Sequence, residues 1–107
     1  MTWLMLIGAI VFEVAGTISL KLSDGFTKIT WVAVLIVCYA IAFFLLASVL
    51  SEGMPVGVAY GIWAASGVAL MAIAGRFLFG DALTPVSIAG IGFIIAGVLV
   101  VELGSHA

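Results

Sequence analysis

Residues 30–50, TWVAVLIVCYAIAFFLLASVL, run for 21 positions without an acidic or basic side chain. A helix rises about 1.5 Å per residue, so such a run reaches across a hydrocarbon layer about 30 Å thick. The nearest charges mark its ends: Lys21, Asp24 and Lys28 come before it, and Glu52 follows it ahead of Pro55. Farther out, Arg76 and Asp81 bracket Gly80, Glu102 and His106 sit near the end, and Glu13 alone interrupts an apolar stretch. Together these marks predict four transmembrane helices, over approximately 3–20, 30–50, 56–79 and 86–103, in a single domain spanning 1–107. The fold class is therefore an all-α membrane protein. Composition agrees: 66% of the 107 residues are hydrophobic, 7% are charged and the mean hydropathy is +1.50, which lies outside the range of soluble domains.

The connections are short and rich in turn residues: Ser23-Asp24-Gly25, Glu52-Gly53-Met54-Pro55, and Gly80-Asp81-Ala82-Leu83-Thr84-Pro85. Successive helices are thus expected to run antiparallel. No Lys or Arg precedes the first span and Leu-Lys-Leu-Ser-Asp is a poor cleavage site, so that span reads as a retained helix rather than a signal peptide. Lys21, Lys28 and Arg76 all fall on the side of the first and third loops, which taken alone predicts that this side faces the cytoplasm and leaves insertion in both orientations open. Cys38, the one cysteine, lies inside the second span, which leaves neither a disulfide framework nor a metal cluster. In the fourth span Gly90 and Gly97 are seven residues apart on one face, and Gly92 with Ala96 forms a small-xxx-small pair. Such faces allow close helix contact, so Gly90 and Gly97 are expected to form either a dimer face or a packing face within one copy of the chain.

Chemistry has to reside at Glu13. It lies more than 10 Å from either end of its span, where a charged side chain costs about 2.5–3.5 kcal/mol on insertion scales. No Lys or Arg is placed at its depth, so a proton or a bound cation must compensate it, and the two are expected to compete. Its helix-face neighbours include Ala9, Ile10, Gly16 and Thr17, small residues among them, so a ligand has room to approach the carboxylate. Aromatic faces attract cations with about 0.5–2 kcal/mol, depending on desolvation. Tyr39 and Phe43 lie one turn apart in the second span, and Tyr60 and Trp63 share a face of the third. Tyr39 is too deep for an interfacial belt, and its hydroxyl needs an acceptor, for which Glu13 is the strongest group at that depth. Trp3 and Trp31 sit at span ends and read as interfacial anchors. Arg76 reads as snorkelling to the surface, and Glu102 and His106 as solvated.

These residues resemble the small multidrug resistance family of four-helix transporters. The resemblance runs through Phe12-Glu13-Val14-Ala15-Gly16-Thr17, Gly25-Phe26-Thr27, Cys38-Tyr39, the segment from Pro55 to Trp63, and Gly90 through Val98. It implies an antiparallel, dual-topology dimer that exchanges protons for cations at paired copies of Glu13. It further implies that Ala9, Ile10, Gly16 and Thr17 line the site, that Tyr39, Tyr60 and Trp63 contact or position the cation, and that the Gly90 and Gly97 face holds the dimer. Gly16 stands where guanidinium exporters of this family usually have tryptophan, and Ala42 replaces the serine that hydrogen-bonds their glutamate. The resemblance therefore favours lipophilic quaternary ammonium and aromatic cations. Where many members carry a two-glycine kink in helix three, this chain has Ala65-Ser66-Gly67.

The expectation is a proton-coupled antiporter of the bacterial cytoplasmic membrane, a homodimer embedded in lipid, with no cofactor, no metal and no nucleic-acid partner. Two alternatives stand beside it: a guanidinium-type exporter of the same family, and one subunit of a heteromeric pair, which the one-sided basic residues keep open. A proton-relaying rotor or channel subunit would also use an intramembrane carboxylate, but four spans and an aromatic wall argue against it. An enzyme is not expected, because no second acid, central histidine or nucleophile–base pair accompanies Glu13.

Overall fold

A computed structural model of the protein describes residues 2–105, with the side chains of residues 2–104. His106 lies outside the described residues. Four helices follow one another, α1 (Thr2–Leu22), α2 (Ile29–Ser51), α3 (Val56–Phe79) and α4 (Pro85–Ser105), with no strand among the described residues. Each is long and apolar enough to cross a membrane. α3 has the bounds expected from sequence, and the other helices run one or two residues past theirs. Apolar counting stops at the first charge, whereas backbone hydrogen bonding continues to the turn residues, which is how Lys21 and Leu22 come to lie in α1. α3 continues unbroken through Ala65-Ser66-Gly67.

The chain divides into two helical hairpins, α1 with α2 and α3 with α4. In the first, Leu6, Ala9, Ile10, Gly16 and Ser19 of α1 and Leu35, Ala42, Leu46 and Val49 of α2 are buried. Small residues set the spacing. A Cβ on Gly8 would lie 3.0 Å from the Leu45 side chain, and one on Gly16 would lie 3.0 Å from the Tyr39 ring. As the α1 position advances from 8 to 16, the α2 position retreats from 45 to 39, so the pair is antiparallel.

The α1–α2 turn carries three successive residues with positive φ, Asp24 (50°), Gly25 (69°) and Phe26 (69°). Only glycine takes this conformation without penalty; other residues cost roughly 1–2 kcal/mol each. Ser23, fully buried, offsets that cost. Its hydroxyl donates to the Leu20 carbonyl at 2.7 Å and accepts the Phe26 N–H at 3.2 Å. Its own carbonyl accepts the N–H groups of Thr27 and Lys28 at 2.9 and 3.0 Å.

In the second hairpin, Gly57 and Gly61 lie one turn apart and let α4 come close: Cβ atoms there would meet Val101 at 4.0 Å and Val98 at 3.6 Å. α3 ends at Gly80, whose φ of 71° is left-handed, and the following Asp81 N–H donates to the Gly75 carbonyl at 3.0 Å. This is the glycine C-cap geometry that satisfies carbonyls the helix leaves over. Gly80→Ala is expected to cost about 1 kcal/mol through the left-handed φ, read as a lower thermal midpoint in detergent with helix content unchanged. Gly90 and Gly97 share a face of α4 and Gly92 lies on the opposite one; a Cβ at each would have nothing within 4 Å, so all three positions are open.

Candidate functional site

Glu13 is eleven residues after Thr2 and nine before Leu22, about 16 and 14 Å from the ends of α1 at about 1.5 Å per residue. The carboxylate thus stands at mid-helix, as its sequence position requires. Its two oxygens differ. Oε1 accepts a hydrogen bond from the Thr17 hydroxyl at 3.0 Å. Oε2 is buried with no hydrogen-bond partner among the described residues. A buried oxygen of this kind costs roughly 1–3 kcal/mol unless something satisfies it, and more when it carries charge.

Thr17 is one turn beyond Glu13, close enough to reach both the carboxylate and the Glu13 backbone carbonyl, also at 3.0 Å. From α2, the Tyr39 hydroxyl reaches Thr17 Oγ1 at 2.7 Å. The sequence expectation that the Tyr39 hydroxyl bonds Glu13 is corrected: it bonds Thr17, whose own hydroxyl reaches the Glu13 carboxylate. The reason is geometric. The Tyr39 ring lies over Gly16, where the absence of a Cβ leaves it room, with ring carbons 3.0–3.2 Å from the position a Cβ would take. From that seat its hydroxyl meets residue 17 rather than residue 13. The space at Gly16, expected from sequence to admit a ligand, is thus filled by the tyrosine ring.

Other expected residues are distributed as follows. Ala9 and Ile10 are buried on α1, and Phe43 is exposed on α2 one turn beyond Tyr39. In the second hairpin Tyr60 and Trp63 form an aromatic pair, with ring centroids 5.6 Å apart and planes tilted by 53°. Such tilted pairs are a favoured arrangement of aromatic rings. Tyr60 is exposed and Trp63 half-buried. Trp3 and Trp31 are exposed near the starts of their helices, and Arg76 is exposed in the last turn of α3. Among the described residues no group of His, Cys, Asp and Glu is placed to hold a metal ion.

The family model described as Small Multidrug Resistance protein matches residues 1–94. The chain belongs to the small multidrug resistance family. Its relatives within that family align almost end to end. The quaternary ammonium compound-resistance protein QacE of Escherichia coli is 45% identical over 105 residues, covering 98% of this chain and 94% of the relative. The multidrug resistance protein mmr of Mycolicibacterium paratuberculosis is 40% identical over 107 residues, 99% of this chain and all of the relative. The multidrug transporter EmrE of Escherichia coli is 42% identical over 101 residues, 94% of this chain and 90% of the relative. These relatives carry the names of transporters and resistance proteins, not of enzymes. The chain is accordingly a multi-pass protein of the bacterial inner membrane, built from the four helices that family membership requires.

What sequence reading did not supply is the order of the hydrogen bonds. The four-residue spacing of Glu13 and Thr17 signalled that both share a helix face, and Gly16 signalled open space beside the acid. Neither says which helix approaches, since that depends on the α1–α2 register.

Proposed function

We propose that the protein exports hydrophobic and quaternary ammonium cations in exchange for protons, and that both ligands compete for Glu13. The observation that carries this reading is the mid-helix carboxylate with one oxygen held by Thr17 and the other buried and unsatisfied. The names of the relatives, quaternary ammonium resistance and multidrug transport, support the substrate class. The cation is drawn by the carboxylate and by aromatic faces, with Tyr39 beside the acid and the Tyr60–Trp63 pair on α3. Ala9, Ile10, Gly16 and Thr17 form the face of α1 that carries the acid, and Phe43 extends the aromatic face of α2.

Two copies of the chain, inserted in opposite orientations, share the site in this reading, with both copies of Glu13 facing it and the open Gly90 and Gly97 face of α4 joining them. Transport is then binding coupled to a conformational equilibrium. Protonation releases the cation, loss of the proton admits it, and a site open alternately to each side lets an inward proton gradient drive cations out. No cofactor takes part.

Adding tetraphenylphosphonium to purified protein in detergent near neutral pH tests this. A proton released for each site filled is the expected result. Cation binding without proton release would overturn the competition, and proton flux through reconstituted vesicles that ignores the cation would put a proton relay in its place.

A further inference from the structure

Competition at Glu13 leaves the Thr17 hydroxyl without an assigned task. Its Oγ1 lies within hydrogen-bond distance of three polar atoms: Glu13 Oε1 at 3.0 Å, the Glu13 backbone carbonyl oxygen at 3.0 Å, and the Tyr39 hydroxyl at 2.7 Å. A threonine hydroxyl has one proton to give and two lone pairs with which to accept. Both glutamate atoms are acceptors when the carboxylate is ionised, so Thr17 donates to one of them at a time. Its proton being spent there, the 2.7 Å contact is made by the Tyr39 O–H donating to Thr17 Oγ1. The chain of donors runs from Tyr39 to Thr17 to Glu13.

Charge on Glu13 decides which acceptor Thr17 serves. A hydrogen bond to an ionised carboxylate is roughly twice as strong as one between neutral groups. The ionised acid therefore holds the Thr17 proton, and through it the tyrosine. Once the acid is neutral, Oε1 either carries the proton itself, and donates, or is an ordinary carbonyl oxygen. The backbone carbonyl at the same 3.0 Å then competes on equal or better terms. We propose that Thr17 is a positioning residue whose hydroxyl turns between the Glu13 carboxylate and the Glu13 backbone carbonyl as the acid loses and gains charge, tying the Tyr39 ring on α2 to the protonation state of α1.

This inference rests on Glu13 being the exchange site. It adds that the Tyr39 O–H bond to Thr17 persists in both states and is stronger when the acid is ionised, because a hydroxyl whose proton goes to a charged acceptor is itself the better acceptor. Asp24, Lys28 and Glu52 lie outside the two helices, toward the ends of the hairpin. α2 has no acidic or basic residue, and its titratable side chains are Tyr39 itself and Cys38, which lines an apolar groove with Ala33, Val34 and Val37. On α1 the other charged side chain is Lys21, in the last turn.

The test is a double-mutant cycle read as the pH dependence of tetraphenylphosphonium binding and of the proton release that accompanies it. Thr17→Val keeps the shape and removes the hydroxyl. It is expected to move the profile to higher pH by about one unit, a tenfold change, because the ionised acid loses its donor. Tyr39→Phe alone is expected to move it the same way by less, and in the Thr17→Val background to add nothing, since the connection is already broken. Thr17→Ser is expected to restore the wild-type profile. Additive shifts, or a wild-type profile in a Thr17→Val protein of normal helix content, would overturn the proposal. Thr17→Ala, which removes the same hydroxyl, repeats the cycle if the valine variant does not fold. Proton release by the wild type together with additive shifts would sink the Thr17 role alone, whereas no release by the wild type would sink the exchange reading beneath it.

Discussion

Replacing Glu13 with glutamine is expected to abolish cation-linked proton release and proton-driven export while leaving the helices intact. The amide has the size of the acid, and its oxygen can still accept the Thr17 hydroxyl that the carboxylate accepts at 3.0 Å. What it loses is charge and the ability to titrate. Two unit charges about 4 Å apart attract by about 4 kcal/mol at an effective dielectric of about 20. Losing most of that weakens tetraphenylphosphonium binding by at least about a hundredfold. The pH dependence separates this from a general loss of binding. In the wild type, affinity is expected to rise with pH as the acid gives up its proton to make room for the cation. The glutamine variant has no proton to shed, so whatever binding remains is expected to be flat with pH. Isothermal titration in two buffers of different ionisation enthalpy counts the released protons in each case. Proton-driven export by this variant in vesicles, at a rate near wild type, would sink the mechanism.

That prediction was accessible from sequence because one residue breaks an otherwise uniform pattern. The four helices were legible for the same reason: apolar runs bounded by charges and by Gly, Pro and Asp turns fix spans of membrane length, and a bilayer leaves the backbone little choice but helix. The depth of Glu13 followed from counting residues. Partnership between side chains on different helices did not follow, since it depends on register and on which small residues let the helices approach. Thus the expected acceptor of Tyr39 was Glu13, yet its hydroxyl reaches Thr17, because Gly16 seats the ring one turn along. Similarly, Ser23-Asp24-Gly25 announced a turn, but the left-handed φ of Phe26 and the buried Ser23 that holds it have no signature in composition.

Gly16 is where enlargement is expected to do the most damage after loss of the acid. A Cβ there would lie 3.0 Å from two ring carbons of Tyr39 and 3.2 Å from a third, tighter than ordinary contact. For Gly16→Ala two effects oppose one another. Alanine gains about 0.8–1 kcal/mol of helix propensity over glycine, and the ring must retreat by a few tenths of an ångström. The net change in stability is expected to be near zero, with tetraphenylphosphonium affinity within about threefold of wild type, since such a retreat still leaves the 2.7 Å contact to Thr17 within hydrogen-bond range. Gly16→Leu cannot be absorbed that way. Its branches occupy the volume of the ring, and overpacking of this kind costs typically 1–3 kcal/mol, more than the propensity returns. The tyrosine must leave, taking its hydroxyl from Thr17 and its face from the acid. Affinity for the bulky cation is then expected to fall at least tenfold, roughly a lost cation–π contact together with a lost hydrogen bond. A small guanidinium ion, which needs less of the aromatic surface, is expected to lose less. The comparison therefore reads specificity as well as strength: if leucine weakens both cations equally, the glycine sets only the helix spacing, whereas selective loss of the bulky one makes the Tyr39 seat the feature that tunes this chain toward large hydrophobic cations.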